Sequence, residues 1–153
     1  MAQFFFKPKR VLVPVKGRRA DRDAFRLACN LAREAKGKLY ALYVIEVSRK
    51  HPVDAEMPSE VAKGEKILAD VEAMGREEKA DVSAALLQAR QAGPAIVHEA
   101  KERQVDLIVL GTPPLAPARG KVERGGETVS YILQNAPCTV LLWRDNAVAE
   151  GEV

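Results

Sequence analysis

The chain holds only two cysteines, Cys29 and Cys138, far apart in 153 residues. That leaves no disulfide framework to stand in for a core, and no cysteine set at zinc-site spacing. Histidine is as scarce. His51 falls in a loop and His98 on a predicted helix, neither with a Cys or carboxylate at metal-ligand spacing. Aromatics are 5% of the residues, and no RNA-recognition motif or zinc-finger pattern appears, so a nucleic-acid partner is not expected. No apolar run approaches the roughly 20 residues of a membrane span. Met1–Arg10 lacks the leading basic region and long apolar stretch of an export signal. There is no G-x-S-x-G elbow. Ser130 and Tyr131 are hydroxyls without a paired base. No catalytic residue and no metal site are therefore expected. Both thiols read as packed and inert in a reduced, cytoplasmic protein.

What is present is an ordinary globular composition, 47% hydrophobic and 29% charged, which excludes wholesale disorder. The length suits one domain. The net charge of +3 is unevenly spread. Residues 1–50 carry 13 Lys/Arg against 4 Asp/Glu, while residues 51–110 carry 7 against 12. The basic first third either meets phosphates or an acidic partner, or forms a solvated helix face. Phe4-Phe5-Phe6 is an unusual cluster for a terminus and either packs on the domain edge or a partner, or belongs to a disordered tail.

Along the chain, Arg10–Val15 (RVLVPV) reads as a first strand with Pro14 near its end. Asp21 is a candidate N-cap for a helix to about Lys36, with Ala24, Leu27, Ala28, Leu31 and Ala35 on one face. Gly37 is its expected stop. Leu39–Val47 is a second, nearly continuous apolar strand, a pattern that suits a sheet covered on both faces. Ser59 is expected to cap a long helix to about Lys79, with Val61, Gly64, Leu68, Val71 and Gly75 in one row. Val82–Leu87 is a third strand. Pro94 opens a third helix that runs to about Arg103. Val105–Leu110 is a fourth strand. A breaker-rich connection, Gly111–Gly126, leads to a short helix at 127–135 and a fifth strand, Pro137–Trp143.

This alternation predicts an α/β domain over residues 9–144, flanked by tails at 1–8 and 145–153, with parallel strands, right-handed crossovers and helices on both faces. Ligands in such sheets enter at the carboxyl ends of the strands, where strand order reverses. The loops after strands one and four, Lys16–Ala20 and Gly111–Gly126, are the first places to look.

The segment DLIVLGT, a Gly-rich loop, a short helix and APCTVLLWR resembles the universal stress protein family, and RVLVPVKG resembles that family's opening strand and loop. The resemblance implies a Rossmann-like five-stranded parallel sheet of order 3-2-1-4-5. It also implies a homodimer through the last strand, here Thr139, Val140, Leu141, Leu142 and Trp143. An exposed apolar edge strand needs such a cover.

Many members bind ATP through an Asp just after the first strand and a motif G-x2-G-x9-G-[ST] that begins at the end of the fourth. Carried over, the site is Val15, Lys16, Gly17, Val44, Gly111, Thr112, Gly125, Gly126, Glu127 and Thr128. Glycines there let backbone N–H groups approach phosphate, helped by a helix N-terminus. This chain departs from the pattern. Lys16 stands in the Asp position, Pro114 in that of the second glycine, and Glu127 in that of the hydroxyl, with Thr128 one place later. Proline has no N–H to donate, and a carboxylate repels a triphosphate. ATP with magnesium is expected to bind weakly or not at all, while a simpler anion or a variant adenine nucleotide contact is allowed. Gly111 and Thr112 either cradle that anion or make a strand-end turn. Lys16, Arg18, Arg19, Arg119, Lys121 and Arg124 either ring the pocket or are solvated surface. Val44 either lines the adenine or belongs to the core.

GETVSYILQNAPC is similar in style to members appended to membrane transporters. The function expected is that of a small, dimeric, non-enzymatic regulatory protein with no required cofactor, acting by binding another protein in stress response or transporter regulation. The alternative is a nucleotide-binding switch or slow ATPase with a variant pocket.

Overall fold

The computed structural model describes residues 6–114 and 124–146, with 124 and 125 described by backbone alone. Phe4, Phe5, Arg119 and Lys121 lie outside the described residues. Strands and helices alternate throughout: β1 Arg10–Pro14, α1 Arg19–Glu34, β2 Lys38–Glu46, α2 Pro58–Glu77, β3 Asp81–Ala89, α3 Ala92–Glu102, β4 Leu107–Thr112, α4 Arg124–Asn135 and β5 Thr139–Arg144. The strands are parallel and ordered β3-β2-β1-β4-β5, the topology expected.

Successive side chains in a strand point to opposite faces, and both faces are covered. Val11, Val13 and Val15, Leu39, Ala41, Tyr43 and Ile45, and Leu107 and Val109 pack beneath α1 and α2. Leu12, Leu42, Ile108 and Leu110 pack beneath α3 and α4 with Ile96, Val97 and Ile132. This explains the nearly unbroken apolar runs of β2 and β4: every residue of a doubly covered strand has an apolar neighbour. β4 is buried along its whole length.

Several boundaries differ from the sequence expectation. Arg18, not Asp21, is the N-cap of α1, and Asp21 is its third residue. α2 begins at Pro58 with Met57 as N-cap, rather than at Ser59; proline suits a first turn, where its missing N–H costs nothing. The buried arc of α1 includes Phe25, Cys29 and Ala32, while Leu27 and Leu31 lie at its margin. The arc is displaced because α2 covers the flank of α1 as well as the sheet.

Gly37 does not supply the left-handed turn after α1. Lys36 does, at φ 54, and the Gly37 N–H reaches back to the Ala32 carbonyl at 2.8 Å. The same turn recurs after α2 at Lys79, φ 57, and after α3 at Gln104, φ 52. Ala80 donates to Gly75 and Val105 to Ala100, each at 2.9 Å. All three are Schellman closures built without glycine. The last of them delays β4 to Leu107, because the Val105 N–H is committed to α3 and the Asp106 carboxylate accepts from the Lys9 and Arg10 N–H groups. Among the described residues no helix is long and apolar enough to cross a membrane.

Candidate functional site

Strand order reverses between β1 and β4, so the crevice at their carboxyl ends is where a ligand of this sheet type would enter. After Pro14 the chain passes through buried Val15, whose N–H donates to the Leu42 carbonyl at 2.9 Å, and exposed Lys16. It then turns at Gly17, φ 86, where an added Cβ would lie 2.8 Å from Ile67 Cδ1 of α2. Arg18 is extended and caps α1.

The Asp21 carboxylate closes this turn. It accepts from the Lys16 N–H at 2.7 Å and the Arg18 N–H at 3.3 Å. The Arg18 guanidinium completes it, with Nε at 3.2 Å from Asp21 Oδ2 and Nη2 at 2.9 Å from Oδ1. Arg18 Nη2 also donates to the Gly111 carbonyl at 3.0 Å, across the crevice on β4. Asp21 is 1% exposed, a buried carboxylate that is acceptable because four N–H contacts reach its two oxygens. Arg18 thus ties the first turn of α1 to the end of β4.

Gly111 is glycine because of packing. A Cβ there would fall against the Ala20 carbonyl oxygen and the Asp21 backbone nitrogen. Thr112 is 9% exposed, its carbonyl accepts from the Asp145 N–H at 2.8 Å, and Asp145 faces Arg19 at 3.7 Å.

The structure places the residues expected to form one site in the turn just after β1, on β2, at the end of β4 and on α4. Val15, Lys16, Gly17, Gly111 and Thr112 lie at the carboxyl ends of β1 and β4. Val44 is half-buried and packs against the core beneath α3 and α4. Gly125 and Gly126, expected in the loop before the helix, lie with Glu127 and Thr128 in the first turns of α4. Glu127 and Thr128 line a depression of about 440 Å³ with Glu46, Arg90, Gln91 and Gly93. Lys16, Gly111 and Thr112 do not line it. Arg90 Nη1 donates to the carbonyls of Val47, Ser48 and His51, at 3.3, 2.7 and 2.7 Å, and so fixes the chain after β2.

Sequence reasoning placed Asp21 as a cap and missed its partner. The usable signal was the spacing Arg18-x-x-Asp21 ahead of an amphipathic run, the spacing of a capping box. Arg90 carried no signal, because its acceptors are carbonyls some 40 residues earlier.

Neither thiol is set up as a nucleophile. Burial, and then Glu78, pushes the Cys29 thiol up to about 11. Burial, and then Asp106, raises that of Cys138. No metal-binding cluster of His, Cys, Asp and Glu occurs among the described residues. β5 lies at the sheet edge, with Val140 and Leu141 half-buried, Leu142 42% exposed and Trp143 37% exposed.

The family model described as "Universal stress protein family" matches residues 7–144. A universal stress protein of Methanocaldococcus jannaschii is 30% identical over 142 residues, covering 88% of this chain and 81% of the relative. Among solved structures, the universal stress protein from Archaeoglobus fulgidus in complex with dAMP aligns with a TM-score of 0.69 at 17% identity, over 90% of this chain and 98% of that one. An Arabidopsis thaliana family protein with AMP bound aligns with a TM-score of 0.67 at 19% identity, over 92% and 94%. The sheet order, the doubly covered strands and a match over nearly all of its length agree: the chain belongs to the universal stress protein family.

Proposed function

We propose that this protein is a dimeric, non-enzymatic regulatory member of its family, cytoplasmic, acting by binding another protein in stress response or transporter regulation. The observation that carries the reading is that the β1/β4 crevice is already occupied by the chain's own Arg18 and Asp21. Some of the donors near a phosphate entering there are spent internally or missing. The Lys16 and Arg18 N–H groups serve Asp21, and Pro114 has none.

β5 supports the dimer. Its exposed Leu142 and Trp143 sit on an open sheet edge, a surface that stays soluble when a second copy covers it. Leu141 packs inward against the α1/α2 core, so Leu142 is the position to perturb. Native mass spectrometry of freshly purified protein is the test, with a dimer free of nucleotide as the expected species and a monomer for Leu142→Lys. A monomeric wild type, or a retained nucleotide, contradicts the reading.

A second reading is favoured by similar solved structures that carry AMP or dAMP. On that reading the crevice takes an adenine nucleotide or a simpler anion, with Lys16 and Arg19 supplying positive charge at its rim.

A further inference from the structure

We propose that Arg18 is a latch: its side chain decides whether the β1/β4 crevice admits a phosphate-bearing ligand. The inference rests on the second reading above, that the crevice is a ligand site at all.

The guanidinium lies across the crevice. On one side it holds Asp21 at 2.9 and 3.2 Å, and on the other it holds the Gly111 carbonyl at 3.0 Å. Three of its five N–H donors are used in this way. Behind it stand a carboxylate and a carbonyl, both acceptors. A phosphate that enters while the latch is closed therefore meets a spent cation in front and negative charge beyond.

The latch can open without unfolding the turn. The Arg18 side chain is 38% exposed, so it has solvent to move into. Asp21 Oδ2 keeps the Lys16 and Arg18 backbone N–H groups when the guanidinium leaves, and Oδ1, which gives up the Arg18 Nη2 contact, turns to the solvent that enters. Closure is held by charge-assisted hydrogen bonds, which are stronger than neutral ones. When the binding-competent form is a fraction of the population, apparent affinity falls by that fraction. A latch closed nine times in ten thus weakens binding about tenfold.

The double variant Arg18→Ser with Asp21→Asn removes the latch and leaves no bare carboxylate behind. Calorimetry with AMP should show it binding about tenfold or more tighter than wild type. If wild type and the double variant bind AMP equally well, the crevice is a ligand site and the latch is wrong. If neither binds, the reading of the crevice as a ligand site falls and takes the latch with it. A measurement on the unmodified protein guards against a misfolded variant. The Arg18 Nε–H should exchange with solvent more slowly than that of exposed Arg22. Equal rates would show that the brace is not formed in solution and would overturn the proposal.

Discussion

Gly111 and Ala20 meet backbone to backbone: the Ala20 carbonyl oxygen stands where a side chain on residue 111 would begin. This contact seats the first turn of α1 on the end of β4, and it places Arg18 within reach of the Gly111 carbonyl. Gly111→Ala must move backbone rather than the end of a flexible side chain. Overpacking of this kind costs about 1–3 kcal/mol. Urea denaturation should show that loss, together with faster exchange of the Arg18 Nε–H. An unchanged midpoint would mean that α1 is not held against β4.

The left-handed residues after α1, α2 and α3 are all side-chain-bearing. A non-glycine residue strains there, whereas glycine does not. Lys79→Gly should therefore stabilise the fold by about 0.5–1 kcal/mol. Lys66→Gly, exposed and mid-way along α2, should destabilise by about 1 kcal/mol. Opposite signs for the same chemical change, read from thermal or urea unfolding, are the check.

Burial, and then Glu78, holds the Cys29 thiol protonated in the folded state up to about pH 11, above the 9.0 of an ordinary thiol. Below the unfolded value both states carry the proton and the contribution is whole. Above it the unfolded chain ionises first, so stability should fall as pH rises from about 9 to about 11. Cys29→Ala should lower stability at neutral pH, where it removes a buried side chain, and should flatten that alkaline decline. Equal slopes for the two proteins would remove Cys29 as its source.

Element order was legible from the sequence, because doubly covered strands force continuous apolar runs and helices force a stripe; the strand order, which fixes the switch point, was legible only through the resemblance to the universal stress protein family. Asp21 was legible as a helix-start residue, but its burial was not. A carboxylate reads as surface until its donors are known, and those donors lie in the loop before it and on Arg18. The helix ends were read to within about two residues, but Lys36, Lys79 and Gln104 were illegible as the left-handed residues that close them, for a related reason. The fold imposes the left-handed turn through carbonyls three and five residues back, and no residue type announces it. Nor was it legible that Gly125 and Gly126 belong to α4, which begins at Arg124 rather than at 127; glycine reads as a loop residue until packing holds it in a helix.

On the proposed function, Arg18 and Asp21 close the switch point to triphosphate nucleotides. Each lost or spent hydrogen bond to a charged group is worth about 1.5–3 kcal/mol. Two or three such losses weaken binding roughly a hundredfold or more, at 1.4 kcal/mol per decade. Titration calorimetry of the wild-type protein with ATP and magnesium measures this directly. The account predicts little or no heat, with a dissociation constant of about 100 µM or weaker, taken as a hundredfold above a micromolar site. A dissociation constant in the low micromolar range would contradict it.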